Sequence, residues 1–186
     1  MMINKYSDRP EDVLDFWFSP KVKPLWFKKS EEFDAEIRQH FLSLYQQAAN
    51  GILNQWREDT HHILALIVVL DQFSRNIFRN LPQAFATDLQ AVELTKYAVN
   101  NNYQQNLFID EQTFLYMPLM HSEQKEYQEQ CVHLFGELGK EDSLKFALRH
   151  KEIIDHFGRF PHRNQILSRK STLEEKDFLT QPGSGF

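Results

Sequence analysis

The sequence predicts an all-α fold, an array of about eight helices paired as antiparallel hairpins. Three observations carry it. The 6 Gly and 7 Pro are sparse for a chain of 186 residues, whereas sandwiches and barrels need turn residues every ~8–12 positions. Leu (21) outnumbers Val plus Ile (17) and Gln (15) is frequent, which is the bias of helix formers. The dense apolar positions recur at helical spacing, and nothing reads as a strand. A hydrophobic content of 41% is enough for a core and excludes disorder. At roughly 100–200 residues per domain, the chain reads as a single domain over residues 1–186.

The first helix is expected over Glu11–Phe18, with Ser7 or Asp8 as its cap, Pro10 in its first turn, and Glu11 and Asp12 facing the positive end of the dipole. Pro20–Pro24 is expected to be non-helical, and Leu25, Trp26 and Phe27 to plug apolar surface. Ser30 caps a second helix that runs to about Asn50 and stops at Gly51. Its Phe33, Ile37, Phe41, Leu44 and Ala48 fall on one face. A third helix is expected from Thr60 to about Phe78, a fourth over Phe85–Asn101, and a fifth over Glu111–Met117, halted by Pro118. A sixth runs Ser122–Leu138 to Gly139, and a seventh Asp142–Phe157 to Gly158. Ser171 with Glu174 reads as a capping box opening a last helix to Leu179. Short loops make successive helices antiparallel neighbours: second with third, fourth with fifth, sixth with seventh. Each pair has the size of a helical repeat, though no consensus recurs. Pro182–Phe186 reads as a flexible tail whose terminal Phe186 could dock its ring and carboxylate against the body.

Composition also narrows the function classes. A single cysteine, Cys131, excludes an internal disulfide. Met1–Phe18 lacks the apolar stretch of a signal peptide, and the longest apolar run, Ile63–Leu70, falls well short of the ~20 residues that span a bilayer. The expectation is a cytoplasmic protein with no membrane partner. A net charge of −5 argues against nucleic acid as a partner. Lys145–Lys170 nevertheless holds seven Lys/Arg against Glu152 and Asp155, either a solvated helix face or an anion-binding one.

Two segments carry candidate chemistry. The third helix opens as Ile63–Leu70, apolar on every side, and continues Asp71-Gln-Phe-Ser-Arg-Asn-Ile-Phe-Arg79. That change puts Asp71 and Arg75 one turn apart on a core face, with Gln72 and Arg79 on the neighbouring stripe. A buried unpaired charge costs several kcal/mol. These groups therefore either bridge one another to fix packing, or present Arg75 or Arg79 to an anion. The second segment is Phe157-Gly-Arg-Phe-Pro-His-Arg-Asn164. Gly158 ends a helix, Pro161 forces Phe160 into an extended conformation, and Arg159, His162, Arg163 and Asn164 stand on a stiff turn. Guanidinium forks recognise carboxylate or phosphate, and imidazole titrates near neutrality. The plainer alternative is a loop that closes helix ends. Asp71 is an available partner for one of its arginines.

Histidines give no metal-binding pattern: no His-Glu-x-x-His occurs, and His121-Ser-Glu123 is not followed by the Pro-Cys-x-x-Cys of zinc deaminases. His150 shares a stripe with Phe146, Ile153 and Phe157 and reads as a core residue, while His156 reads as solvent-facing. Cys131 reads as a packing residue. No metal and no cofactor are expected, and no Walker, dinucleotide or nucleophile-elbow motif is present.

Several stretches together are distinctive: Glu11-Asp-Val-Leu-Asp-Phe-Trp-Phe18, Leu70–Arg79, Ala84-Phe-Ala-Thr-Asp88, Phe114–Glu123, Phe157–Asn164 and the Pro-Gly-Ser-Gly-Phe ending. In this order they resemble a bacterial family defined as a domain of unknown function (number nine-two-four), over nearly the whole chain. The resemblance implies an all-helical fold like that of tetratricopeptide-repeat proteins. It brings no activity, cofactor or catalytic residue. Ser74 stands where the family often has Pro, and a serine keeps the backbone N–H there, which implies a straighter helix.

Two function classes follow. In the first, Asp71, Gln72, Arg75, Arg79, Glu123, Arg159, Arg163 and Asn164 bind a small anionic ligand. Catalysis then stays open, with His162 and His121 as the groups that would transfer a proton. In the second, the polar motifs only hold helices together, and a groove of the helical array binds a protein or peptide partner.

Overall fold

The computed structural model describes residues 8–185. Ser7, the alternative cap, and Phe186, the expected docking residue, lie outside them. Helix α1 (Pro10–Trp17) starts with Pro at its first position, where a missing N–H is harmless, and buries Val13, Phe16 and Trp17. Its N-cap is Arg9 and has no side-chain cap; Asp8, the expected one, instead accepts a hydrogen bond from Gln47 Nε2 at 2.8 Å. The stretch expected to be non-helical contains a 3₁₀ turn, Lys23–Leu25, short enough to hold Pro24 near its start. Trp26 donates its indole N–H to the Trp17 carbonyl at 2.9 Å, but Phe27 stays 74% exposed instead of plugging the surface.

Helix α2 (Glu31–Ala49) has the expected cap, the Ser30 hydroxyl accepting from the Phe33 N–H at 3.2 Å, and buries the whole predicted stripe together with Tyr45. The expected third helix is three contiguous segments. These are α3 (Thr60–Ile67), capped by Asp59; a π-helical turn (Val68–Phe73); and α4 (Ser74–Ile77). The helical path continues through Ser74, with the π turn directly before it. A π turn leaves carbonyls without their α-helical donors, and side chains supply them. The Leu70 carbonyl accepts from the Thr87 hydroxyl at 2.6 Å, and the Asp71 carbonyl accepts from Ser74 Oγ and Arg75 Nη1.

Helix α5 (Asp88–Asn100) starts later than expected because Pro82–Phe85 winds as 3₁₀. Helix α6 (Ile109–Met120) runs through Pro118, which was expected to halt it. The proline sits in the last turn, and the Gln128 amide, fully buried, donates to the carbonyls of Leu119 (3.2 Å), Met120 (2.8 Å) and Ser122 (2.7 Å) just beyond it. Helix α7 (Lys125–Leu138) opens three residues later than expected. It and α8 (Glu141–Phe157) end at Gly139 and Gly158, each left-handed at φ 70°. Helix α9 (Leu173–Leu179) does begin with a capping box, but its pair is Thr172 and Glu175, one residue beyond the expected Ser171 and Glu174. The Ser171 hydroxyl instead accepts from Asn164 Nδ2 at 3.1 Å. No strand occurs among the described residues, and none of their helices is long and apolar enough to cross a membrane.

The described backbone gathers into two compact units, one within Met1–Arg79 and Gln83–Pro118, the other within Asn80–Pro82 and Leu119–Phe186. In the first, α3 lies against α1 and α5, and α2 packs on the π turn and α4. Between α5 and α6, the Thr95 hydroxyl donates to the Leu115 carbonyl at 2.8 Å. Aromatic rings fill the centre: Phe41 and Phe73 lie 4.7 Å apart between centroids, Phe16 and Phe41 5.0 Å, Trp17 and Phe114 5.4 Å. In the second unit α7 and α8 form the expected hairpin, and Ile153, Ile154, Phe160 and Phe178 make a buried cluster.

Candidate functional site

The candidate residues fall into the two units and are described within each. In the first, Asp71 is 1% exposed on the π turn. Its carboxylate lies 3.2 Å from Arg75 Nη1 and accepts from Gln72 Nε2 at 2.6 Å. Arg75 also donates to Asp88 Oδ1 at 2.9 Å. Burial works against its charge, yet Asp71 and Asp88 outweigh that and hold its pKa above the usual arginine value. Gln72 reaches the Met117 sulfur at 3.2 Å. Arg79 grips Asp34 with Nε and with Nη2 (2.7 Å), and Asn76 donates to the same carboxylate at 2.8 Å, tying α4 to α2. Both guanidiniums of this segment thus serve carboxylates of neighbouring helices. The carboxylate of Asp71, the foreseen partner for an arginine of the second segment, is taken up within its own unit.

A cleft of about 680 Å³ in this unit has none of the candidate residues in its lining. Leu70, Leu89, Leu94, Arg57 and Tyr97 line it, with the Arg57 guanidinium 5.4 Å from the Tyr97 ring centroid.

In the second unit the turn after α8 is built as its sequence requires. Gly158 takes the left-handed conformation, Phe160 is extended before proline (φ −87°, ψ 109°), and Pro161–Arg163 closes as a 3₁₀ turn. Glu123 and Arg169 hold it. Glu123 Oε1 accepts the Phe160 N–H at 2.8 Å, while Arg169 donates to both Glu123 oxygens (2.7 and 2.9 Å) and to the Phe160 carbonyl at 3.1 Å. Arg159 turns the other way, onto Glu175 (2.6 and 2.8 Å) and the Lys170 carbonyl (3.0 Å). That bond, with the N–H of Thr172, pulls the Glu175 carboxyl down to about 2 despite its burial. Asn164 is fully buried on Ser171.

What remains around Phe160 is rich in nitrogen. Arg163 is 6% exposed, its guanidinium 4.8 Å from the Phe160 ring centroid, and Nη2 donates to the His121 carbonyl at 2.9 Å. The His150 ring lies 6.4 Å from that of His121 and 5.5 Å from that of Phe160, and His162 lies 5.6 Å from Phe160 on the same ring-centroid measure. Nδ1 of His150 is 2.8 Å from the Phe146 carbonyl. A carbonyl can only accept, so Nδ1 carries the proton and the ring's lone pair is on Nε2. Burial, reinforced by His121, His162 and Arg163, pushes His150 down to about 3. Burial and Arg163 push His162 down to about 4. Both are therefore neutral imidazoles near pH 7. Burial would raise the Glu123 carboxyl, but Arg169, the Phe160 N–H and Arg163 together hold it below its ordinary value. The tail passes this cluster: a Cβ on Gly185 would sit 3.8 Å from His162 Cβ.

Of the sequence candidates, Arg163 and His162 thus lie against the Phe160 ring, Glu123 holds the Phe160 N–H and His121 lies beside His150, while Arg159 and Asn164 serve the neighbouring Glu175 and Ser171. Sequence reasoning missed two members. His150, taken as a core residue, belongs to the cluster, and Phe146, expected to share its buried stripe, is 58% exposed. Arg169 lay in a basic run with nothing to mark its partner 46 positions away. Cys131 is buried and its thiol pushed up by burial, so it is no nucleophile. Among the described residues no group of three or more His, Cys, Asp or Glu side chains could hold a metal ion.

No curated protein matches the chain. Among solved structures it is similar to a protein of unknown function, ATU0120 from Agrobacterium tumefaciens, with a TM-score of 0.87, 36% sequence identity, and coverage of 91% of this chain and 96% of that one. The model of one family, described as bacterial protein of unknown function (DUF924), matches residues 13–183. With helices and motifs in the order set out above, the chain belongs to that bacterial family of unknown function.

Proposed function

We propose that the cluster around Phe160 binds a small anion, and that His162 and His121 are the groups able to move a proton if the bound molecule is also transformed. One observation carries this reading. Two guanidiniums, Arg163 and Arg169, converge on the Phe160 turn beside the Glu123 carboxylate, and Arg163 lowers the proton affinity of His150, His162 and Glu123 alike. A buried site that combines guanidinium donors with neutral imidazoles favours an oxyanion, which accepts hydrogen bonds from a guanidinium fork. In the first unit Arg75 and Arg79 already face Asp71, Asp88 and Asp34, so the same reasoning assigns them to packing.

Thermal-shift titration of the wild type with phosphate, carboxylates and nucleotides, against chloride at equal ionic strength, tests the proposal. A ligand at a hundred times its Kd adds about 2.7 kcal/mol, which at roughly 2–4 °C per kcal/mol for a chain of this size raises Tm by about 5–11 °C. Arg163→Lys keeps the charge but loses the fork and should respond far less. If no anion stabilises the wild type beyond the chloride control, or if Arg163→Lys responds equally, the proposal fails.

A further inference from the structure

The most exposed large apolar side chains of the first unit include Phe108 (80%), Phe27 (74%) and Ile109 (57%). Two contacts join their segments. Lys23 Nζ pairs with Asp110 Oδ2 at 2.9 Å, and the Phe27 ring stacks on buried Phe114, with centroids 6.3 Å apart and planes 9° from parallel. The chain around the 3₁₀ turn therefore runs beside the first turns of α6, which brings together the segments that carry these three side chains. Isolated exposed apolar residues are ordinary, but aromatics gathered in one place mark an interaction surface.

The adjoining sequence is Lys28-Lys29-Ser30-Glu31-Glu32. All four charged residues are exposed, and among the described residues none takes part in an ion pair. Two cations thus stand beside two anions at the margin of the aromatic patch, and their charges cancel. That pattern distinguishes between occupants. An anionic lipid surface or an acidic peptide is drawn to a margin of one sign. In a two-fold contact each surface meets its own copy, so a single-signed margin would repel itself, while a margin carrying both signs pairs with itself twice.

We propose that this face is the interface of a homodimer. The aromatic patch forms its centre, and the lysine pair of each copy meets the glutamate pair of the other. Sedimentation equilibrium of the full chain, from micromolar to millimolar concentration, tests it. Wild type should show a monomer–dimer equilibrium that weakens with salt. Phe27→Asp with Phe108→Asp should be monomeric while keeping the wild-type circular-dichroism spectrum, since both rings are largely exposed. Lys28→Glu with Lys29→Glu gives a wholly acidic margin, and Glu31→Lys with Glu32→Lys a wholly basic one. Each should weaken self-association by about tenfold or more. Mixed together, these two variants should associate with each other. A wild type that stays monomeric throughout, charge-reversed variants that dimerise as well as wild type, or a mixture that fails to associate would each overturn the proposal.

Discussion

Moving the protein from about pH 8 to about pH 5 should destabilise it through His150, and the size of the effect can be worked out. The His150 side chain is 5% exposed and takes up its proton only near pH 3 in the folded chain, against an ordinary 6.5. Below pH 6.5 the unfolded chain binds a proton that the folded chain refuses. Stability therefore falls as pH drops through that window, down to the folded value near 3. At pH 5 the loss is about 1.4 kcal/mol for each of 1.5 pH units, roughly 2 kcal/mol. That lowers Tm by about 4–8 °C for a chain of this size. His162, held near 4 by burial and Arg163, adds in the same direction. Glu175, held near 2, adds little down to pH 5, because in the unfolded chain it takes up its proton mainly below its ordinary value of 4.5. The assay is a calorimetric melt at both pH values on wild type and His150→Gln, whose amide can still donate to the Phe146 carbonyl but does not titrate. The variant should lose about 4–8 °C less than wild type between the two pH values. Equal losses would show that His150 titrates normally and would refute the burial argument.

Other perturbations have equally definite outcomes. Arg75→Ala strands Asp71 at 1% exposure, and should cost about 3–5 kcal/mol in urea unfolding, the effect of leaving one partner of a buried pair alone. Gln128→Leu removes the donor that serves three carbonyls at the end of α6. It should cost about 1–3 kcal/mol by the same measurement, and Gln128→Glu more, because a carboxylate would face those carbonyls. Thr172→Ala should cost about 1 kcal/mol through the lost cap of α9. Ser171→Ala, at the position the sequence favoured, should leave that helix's amide exchange unchanged.

The contrast between Thr172 and Ser171 shows where sequence reading stops. Either residue could cap α9, and Asn164, seven positions earlier, settles the matter by taking the Ser171 hydroxyl. The α2 stripe and the glycines at 139 and 158 were legible because their causes are local, a periodicity and a backbone that must turn left-handed. Pro118 misled for the opposite reason: the helix end around it is completed by Gln128, ten residues on. In the candidate site, the stiff Phe160–Pro161 turn could be read from its proline. The grip of Glu123 and Arg169 upon it, and the approach of His150, are products of packing with no local signature.

The π turn at Val68–Phe73 also has a consequence for chain length. A turn closed from i to i+5 holds one residue more than an α turn, so it takes up an extra residue between α3 and α4 without changing their phase. Deleting one residue inside it would let the backbone close as an unbroken α-helix, the regular structure that propensity prefers. Everything downstream would then keep its place, with Arg75 still facing Asp88 and Arg79 facing Asp34, whereas a deletion within the regular turns of α3 would rotate the following residues by about 100°. The position of a deletion thus decides its effect, because the irregular turn can give up one residue and still leave the two ends of this helix in step with their separate neighbours.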